Sequence, residues 1–419
     1  MGLRILLLCA ERIGPEMAAA GIRYAELTRA LRAGGAEATC AAPTGSGPTV
    51  AWGDLHVYDP HAPATLKEAL RAADVVFAPP LAPRLAAALV RGGRPWLVDL
   101  INPEPFEGLE YHRGRHPLER RALAILRLDR ISYALRRGRA FVCATERQRD
   151  MWLGMLAASR RLDPGRYEVD PDLRELIDTV PSGIDERAPI APARPVLRGA
   201  ALPADARIVL WNGGVWDWFD PETAIAAVTL LHARDERWRL FFMSTGRPSL
   251  RAKMGAAERV ARAAGDVVRV NREWVPYAER SGYLLEADVC VSTHRPTLES
   301  RFSYRNRLLD CIWAGLPIVC TEGDAFAELV VEREWGRTVA PEDPEQLAAA
   351  LQEVVQAGRP AVAESMMRYR TEHTWSAAAA RIHAMATGAL TRAGPSGLDP
   401  VAGLMRARHS TAGRLRRPR

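Results

Sequence analysis

The sequence RIVLWNGGVWDWFDPETAIAAVTLLHA, residues 207–233, decides the fold class because a strand, a glycine loop and a helix follow one another in it. The apolar run RIVLWN has the length of a buried strand, and DPETAIAAVTLLHA has apolar residues at helical spacing. Asp220 is the expected helix cap, with Pro221 at the first helical position. A buried strand that leads through a short loop into a helix is the repeating unit of a parallel sheet.

The same pattern recurs almost from one end of the chain to the other. In the first half the expected strands are RILLLCA, AEATCAA, DVVFAPP, PWLVDL and AFVCAT, and in the second half RIVLWN is followed by WRLFFMST, VVRV, DVCVST and PIVCT. Near-continuous apolar strands separated by helices indicate parallel sheets covered on both faces. A proline-rich linker near 186–199 separates the halves. The sequence therefore predicts an α/β protein with two doubly wound domains and a ligand crevice between them.

Length and composition agree with two globular domains. A chain of 419 residues is too long for one ordinary domain and suits two, each able to bury its own core. No run of about 18 apolar residues occurs that could span a bilayer. The six cysteines are scattered singly among mostly apolar neighbours, which is typical of reduced core residues. We therefore expect a cytoplasmic protein with neither disulfides nor structural zinc.

The net charge of +7 is concentrated at the end of the chain. Residues 393–419 hold six arginines against one acid, Asp399, which places +5 there and +2 in the rest. A nearly neutral body argues against a nucleic-acid partner. We expect the tail to be basic and disordered, with contact to an anionic membrane surface or a partner as the alternative.

The loops that follow the strands should carry the chemistry, because ligands of doubly wound sheets bind beyond the carboxyl ends of the strands. In the loop after RIVLWN, Gly213 and Gly214 leave backbone amides open to a phosphate; the alternative is that they serve a tight turn. Trp216 in this loop suits stacking on a base or sugar, or a packing cluster near the hinge. Gly14 and Gly21 form a second, weaker candidate phosphate loop.

The stretch TLESRFSYRNRLLDCIWAGLP, residues 297–317, contains three arginines near an expected helix start. We expect Ser303 to cap a helix that Gly315 ends. Arg305 and Arg307 would then lie in its first turn, where the helix dipole disfavours positive charge unless an anion binds. The pattern therefore indicates an anion site.

Ion pairs are the alternative explanation for these arginines. Arg307 could pair with Asp310 at i+3, and Arg301 with the nearby Glu299. Arg305 has no acid at i+3 or i+4, so we predict that it binds a diphosphate through its planar guanidinium. The two acids could each hold a vicinal diol of a nucleotide sugar, with a solvated or salt-bridged acid as the alternative.

Several of these segments resemble retaining glycosyltransferases of the GT-B fold, of the glycosyltransferase family 4-like, actinobacterial type. The resemblance rests on NGGVWDWFDP, WVPYAERSGYLLEADVCVSTH and ESRFSYRNRLLDCIWAGLPIV, together with FVCATERQRDMWLG in the first half. It implies two Rossmann-like domains facing across a cleft, with the nucleotide-sugar donor on the second domain and the acceptor on the first.

The resemblance also implies roles for single residues. Asp310 stands where the family's second motif glutamate contacts the ribose. The family's other glutamate falls at Phe302 here, so Glu299 is the expected substitute, and Arg305 takes over diphosphate binding. Asn102 lies in the first-domain loop that approaches the reacting sugar. The catalytic candidates are Asn102, Glu299 and Arg305; the donor-binding candidates are Gly14, Gly21, Gly213, Gly214, Trp216, Arg247, Val275, Arg301, Tyr304 and Asp310.

The expected domains are an acceptor-side domain over 1–190, a donor-binding domain over 191–375, a helix over 376–392 that crosses back to the first domain, and the tail over 393–419. We expect a hexosyltransferase-like enzyme that retains configuration, needs no metal or cofactor beyond its donor, and acts on a small natural product or a cell-envelope saccharide. The alternatives are a noncatalytic sugar-nucleotide-binding subunit and a sugar-nucleotide epimerase. A dehydrogenase or NTPase is disfavoured because neither GxGxxG nor a Walker A sequence occurs.

Overall fold

A computed structural model describes residues 2–47, 55–111, 113–244, 259–260, 262–263 and 265–392. The strands of the first half are β1 (Arg4–Leu8), β2 (Glu37–Pro43), β3 (Leu55–Tyr58), β4 (Val75–Ala78), β5 (Trp96–Asp99), β6 (Ala140–Cys143) and β7 (Ile177–Thr179). Those of the second half are β8 (Arg207–Trp211), β9 (Trp238–Phe242), β10 (Val268–Val270), β11 (Val289–Ser292), β12 (Ile318–Thr321) and β13 (Gly336–Val339).

The helices alternate with these strands. In the first half they are α1 (Ala19–Ala33), α2 (Lys67–Ala72), α3 (Pro83–Arg91), α4 (Glu104–Tyr111), α5 (Pro117–Arg137), α6 (Glu146–Ala158) and α7 (Pro164–Val169). In the second half they are α8 (Pro221–His232), α9 (Arg280–Glu286), α10 (Leu298–Phe302), α11 (Arg307–Ala314), α12 (Ala325–Glu332), α13 (Pro344–Ala357), α14 (Pro360–Glu372) and α15 (Trp375–Thr391). Short 3-10 helices span Pro63–Leu66 and Tyr277–Glu279.

Two parallel sheets organise the described residues. The first has seven strands in the order β3-β2-β1-β4-β5-β6-β7, and the second has six in the order β10-β9-β8-β11-β12-β13. Neighbouring strands in both sheets are parallel. Apolar residues are buried on both sides of each sheet. The predicted fold class is confirmed.

The unit at residues 207–233 forms as its sequence predicts. Strand β8 lies between β9 and β11, and its central residues are buried. Asp220 caps α8: its Oδ1 accepts from the Thr223 amide at 3.2 Å, and its Oδ2 accepts from the Thr223 hydroxyl at 2.6 Å. Pro221 occupies the first helical turn, where its missing amide proton removes no hydrogen bond.

The predicted helix start at Ser303 is wrong, because the stretch 297–317 contains two helices. Thr297 caps α10, and its side chain accepts from the Ser300 amide. Ser303 ends that short helix in an extended conformation, and its hydroxyl donates to Glu299 instead of capping the next helix. That second helix, α11, begins only at Arg307 and ends at Gly315, whose φ of 62° is left-handed.

The last described helix returns to the first domain. Helix α15 packs against α1, and its residues Trp375, Ile382 and Ala386 are buried in the apolar core beside β1. Arg381 of α15 forms an ion pair with Asp178 of β7. Among the described residues no helix combines the length and the apolar character that a membrane crossing requires. The six cysteines are buried, as predicted for core residues.

Candidate active site

Helix α4 of the first domain contacts the second domain on one side of the cleft. The ring of Phe106 stacks on Phe302 with centroids 5.2 Å apart and planes at 18°. One helical turn along, Tyr111 meets Trp218 edge-on at 4.9 Å. These aromatic contacts join α4 to α10 and to the glycine loop after β8.

The start of α6 makes a second set of contacts across the domains. The Nε2 of Gln148 donates to the Ile101 carbonyl in its own domain at 2.9 Å and to the Phe302 carbonyl in the other at 2.8 Å. Arg147 donates to the carbonyls of Arg301 and Gly323. The segment around α10 is therefore held by both α4 and α6.

Trp216 belongs to the same packing cluster. Its ring stacks on Trp218 at 5.8 Å and meets Tyr111 edge-on at 6.3 Å. Of the two predicted roles, stacking on a ligand or packing near the hinge, the structure shows packing between domains. Its use as a ligand contact stays a prediction.

Gly213 and Gly214 lie directly beside Arg307, at the first position of α11. Gly213 has a φ of 86°, and a Cβ atom there would lie 3.9 Å from the guanidinium carbon of Arg307. The Nη2 of Arg307 donates to the Gly214 carbonyl at 2.6 Å. The loop and the start of α11 are therefore in direct contact through this side chain.

Arg305 is not the unpaired cation that the sequence suggested. Its Nη1 and Nη2 bind the two carboxylate oxygens of Glu299 at 3.0 and 3.2 Å, and its Nε binds Asp324 at 3.0 Å. The Arg305 side chain is 4% exposed. The prediction failed because Asp324 lies 19 positions away and Glu299 lies on the preceding short helix, so no helical spacing reveals either partner. Three of its five N–H groups are thus committed to buried carboxylates.

Glu299 and Asp324 are held in the same buried network. Glu299, which is 1% exposed, also accepts from the Ser303 hydroxyl. Asp324 caps α12 through the Phe326 and Ala327 amides. Burial alone would raise the pKa of the Asp324 carboxyl, but contact with His294 and with Arg305 lowers it below its ordinary value. The sequence predicted that Glu299 is an open carboxylate at the donor sugar. In the structure it is instead the partner of Arg305.

Arg307 has no acidic partner within the described part of the chain. Its Nη1 is buried and has no hydrogen-bond acceptor there. The guanidinium lies 4.1 Å from the centre of the Phe219 ring. Burial and the nearby charge of Arg305 lower the pKa of Arg307 to about 9. A guanidinium in this position would be stabilised by an anion that binds its free Nη1 edge.

Asp310, one turn along α11, pairs with Arg280 and not with Arg307. Its Oδ1 accepts from the Arg280 Nε at 2.9 Å, and the Asp310 side chain remains 25% exposed. The guanidinium of Arg280 lies 3.6 Å from the Tyr277 ring and 4.1 Å from the Trp313 ring. One oxygen of Asp310 is thus fixed by a stacked arginine, and the described residues donate no hydrogen bond to the other.

The other predicted site residues differ in their surroundings. Tyr304 is packed in the core against Phe326, which corrects its predicted place in the donor site. A Cβ atom at Gly21 would lie 2.8 Å from the Met17 Cβ, so this glycine serves helix packing. The amide of Val275 donates to the Ser244 hydroxyl. The side chains of Asn102 and Arg301 are exposed and Gly14 is partly exposed, whereas Arg247 lies outside the described residues.

Glu107 is a cleft residue that the sequence did not single out. It follows Phe106 on α4 and precedes Tyr111 by one turn, so it lies between the two aromatic contacts with the second domain. Burial, aided by Glu104 and Glu299, raises the pKa of the Glu107 carboxyl to about 8. No described residue forms a hydrogen bond or an ion pair with it. The run of acids PEPFEGLE was the available signal, but helix periodicity alone does not show which acid faces the cleft.

The second domain matches a known sequence family. Residues 206–357 match the family model described as glycosyl transferases group 1. The D-inositol 3-phosphate glycosyltransferase of Thermobispora bispora is 30% identical over 217 residues, which make up 49% of this chain and 48% of that protein. The chain thus matches about half the length of this relative.

Solved structures match almost the whole chain. HepE of Anabaena, in complex with UDP and glucose, has a TM-score of 0.64 at 12% identity and covers 92% of this chain and 99% of its own. Sucrose-phosphate synthase of Thermosynechococcus elongatus has a TM-score of 0.60 at 18% identity, covering 91% and 98%. The fold is therefore the GT-B arrangement of two Rossmann-like domains facing across a cleft.

Proposed function

We propose that the protein transfers a sugar from a nucleoside-diphosphate sugar to an acceptor. The match of residues 206–357 to the glycosyl transferases group 1 model supports this, and so does the likeness to HepE, whose structure contains UDP and glucose. In this proposal the second domain binds the donor and the first domain binds the acceptor. The observation that carries it is Arg307 at the start of α11, whose buried Nη1 has no hydrogen-bond acceptor among the described residues.

Arg307 is the proposed diphosphate ligand, in place of Arg305. Its Nη2 is fixed by the Gly214 carbonyl, which leaves the buried Nη1 as the edge that lacks an acceptor. The position at the first residue of α11 adds the partial positive charge of the helix end. A cation that is already oriented before the ligand binds is well suited to stabilise the charge that grows on the leaving diphosphate.

Asp310 is the proposed ligand of the nucleotide ribose. A carboxylate oxygen can accept from a vicinal diol, and one oxygen of Asp310 has no donor among the described residues. The stacked Arg280 holds the other oxygen at 2.9 Å and so fixes the direction of the free one. Arg280 is therefore proposed as a positioning residue for the ribose contact.

We further propose that transfer retains the anomeric configuration and does not need a metal. In this scheme the acceptor hydroxyl attacks the face that the diphosphate leaves, and a phosphate oxygen takes its proton. Arg307 supplies the positive charge that a metal ion would otherwise provide. The proposed acceptors remain a small natural product or a cell-envelope saccharide, bound on the first domain near Asn102 and Glu107.

Glu107 is the proposed polar contact of the first domain with the substrates. With a pKa of about 8, its carboxyl is mostly protonated at neutral pH and can donate a hydrogen bond. A neutral acid beside a diphosphate avoids the repulsion that a carboxylate would cause. Its location between the contacts of Phe106 and Tyr111 would bring this donor to the substrates only when the domains are closed.

A binding experiment followed by product analysis tests the proposal. Isothermal titration of the full chain with UDP, GDP, ADP and dTDP should give saturable binding to at least one, and Arg307→Met should weaken it. Incubation with the matching nucleotide sugar, with and without acceptor mixtures, then separates the three candidate activities. Transfer needs both substrates, an epimerase converts donor alone, and a noncatalytic subunit binds without turnover. Absence of binding by all four diphosphates would refute the proposal.

A further inference from the structure

Helix α5 presents large apolar side chains to solvent. Leu118 is 71% exposed, Leu126 65%, Ile125 50% and Leu128 42%. At about 100° per residue, Leu118 and Ile125 lie along one line of the helix, with Leu126 and Leu128 on its two flanks. The opposite side of α5, at its C-terminal end, is buried in the first domain. The N-terminal half therefore carries an apolar outer face, which is unusual for a water-exposed helix.

The same helix and the turn before it carry a concentrated positive charge. Residues 113–137 contain eight arginines against two acids, Glu119 and Asp129, a net charge of +6. The net charge of +2 over residues 1–392 is therefore the sum of a strongly basic segment and an acidic remainder. Five of the eight arginines form no ion pair with an acid among the described residues: Arg120, Arg121, Arg127, Arg136 and Arg137.

These charges border the apolar face. Arg121 lies one turn after Leu118 on its flank, and Arg136 lies on the line that Leu118 and Ile125 define, toward the C-terminal end of α5. One acid, Asp129, shares this line. We call Leu118, Arg121, Ile125, Leu126, Leu128 and Arg136 the α5 surface. It combines exposed aliphatic side chains with arginines long enough to reach outward past them.

The charge of the α5 surface decides among its possible occupants. Residues 393–419 carry +5 and would be repelled by it. A two-fold dimer of the chain through this surface would bring two +6 segments together, because such an interface pairs a patch with itself. An anionic lipid bilayer complements both properties, since its headgroups attract arginine and its acyl region accepts leucine and isoleucine.

We infer that the α5 surface docks the protein on an anionic lipid bilayer, with Leu118, Ile125 and Leu126 inserted between headgroups. The contact is peripheral: α5 remains folded on the first domain, and its apolar outer side lies among the headgroups of the bilayer. The inference does not depend on the proposed transferase activity, because it rests on the exposure and charge of a helix outside the cleft.

Vesicle cosedimentation of the full chain tests this inference. Vesicles of phosphatidylcholine with phosphatidylglycerol should bind the protein, vesicles of phosphatidylcholine alone should bind it much less, and added salt should release it. The variant Leu118→Ser/Ile125→Ser/Leu126→Ser removes the inserted side chains. Its matched control is Val169→Ser/Ile190→Ser, which removes two apolar side chains that are 83% and 77% exposed elsewhere.

Charge is tested separately with Arg121→Glu/Arg136→Glu, for which Arg234→Glu on the second domain is the control. Both α5 variants should bind anionic vesicles at least about tenfold more weakly than the wild type, and both controls should bind normally. Because all the changed residues are at the surface, unchanged melting temperatures should show that each variant folds.

Three results would overturn the inference. The first is equal binding by the α5 variants and the wild type. The second is loss of binding on deletion of residues 393–419 with the α5 surface intact, which would assign lipid contact to the tail. The third is that the wild type binds no vesicle and that the α5 variants differ from it in mass by size-exclusion chromatography. This result would make the α5 surface a contact between copies of the chain.

Discussion

Replacing Arg305 and Arg307 one at a time by methionine separates a structural arginine from a ligand-binding one. The two residues are close in the sequence but differ in surroundings: Arg305 binds the carboxylates of Glu299 and Asp324, whereas Arg307 has no acidic partner among the described residues. Methionine keeps much of the side-chain volume and removes the charge. The pair of variants therefore tests which residue stabilises the fold and which binds the donor.

The expected loss of stability for Arg305→Met follows from the charges that it leaves behind. Two carboxylates that are 1% and 3% exposed would lose their shared cation. Removal of one partner from a buried ion pair costs about 3–5 kcal/mol. In a domain of this size that corresponds to a decrease in melting temperature of roughly 6–20 °C.

Arg307→Met should have the opposite profile. It leaves no carboxylate unpaired, and it removes a guanidinium whose pKa is already lowered to about 9, so we expect a change in stability within about 1 kcal/mol. Loss of one charge-assisted contact to a diphosphate should weaken nucleotide binding roughly 10- to 100-fold. Scanning calorimetry gives the stability of both variants, and titration with the nucleoside diphosphate gives the affinity.

One outcome would refute this reasoning outright. If Arg305→Met melts at the wild-type temperature and loses the nucleotide, while Arg307→Met binds normally, then Arg305 contacts the ligand and its observed ion pairs contribute little. Glu299→Gln is a useful control, because it weakens the ion pair of Arg305 without touching Arg307. It should lower the melting temperature and leave nucleotide affinity nearly unchanged.

Three further predictions concern other residues. The pKa of the Glu107 carboxyl rises from an ordinary 4.5 to about 8 in the folded protein, so between these values the native state keeps a proton that the unfolded state releases. The free energy of unfolding should therefore fall as the pH rises from 4.5 to about 8. Urea unfolding across this range should show the slope, and Glu107→Gln should abolish it. Asp310→Asn should cost about 1–3 kcal/mol by calorimetry, because it leaves the stacked Arg280 without its carboxylate. Gly183→Ala would place a Cβ atom 2.4 Å from the backbone at the start of α15 and should destabilise by about 1–3 kcal/mol, whereas Gly114→Ala, with no atom within 4 Å, should melt normally.

The sequence predicted the fold well because the fold depends on local periodicity. Strand, glycine loop, cap and helix at 207–233 are each specified by neighbouring residues, and Asp220 and Pro221 occupy their predicted places. The parallel sheets follow from the alternation of buried strands with helices. Prediction of this fold class did not require knowing which residues distant in the sequence contact each other.

The site was predicted less well because its charges are paired by tertiary contacts. The spacing argument searched for acids close to each arginine in the sequence, and it offered Asp310 for Arg307 and Glu299 for Arg301 as the alternative to an anion site. In the structure Asp310 binds Arg280, 30 positions away, and Glu299 binds Arg305. The same rule could not find Glu107, since its pKa depends on burial between two domains.

The break between α10 and α11 explains why two arginines so close in sequence have different tasks. In one continuous helix from Ser303, both Arg305 and Arg307 would lie in the first turn, and both would oppose the helix dipole. The chain instead leaves the helix at Ser303 and resumes it at Arg307, so Arg305 lies between the two helices and can turn inward to its acids. Arg307 alone then occupies the helix start, against the glycine loop. The unfavourable charge at that end is thus confined to one side chain, whose pKa is lowered by burial and by the nearby Arg305. A substitution that joined the two helices, such as Ser303→Ala with Tyr304→Leu, should therefore weaken nucleotide binding even with both arginines present, and circular dichroism would show whether helix had been gained.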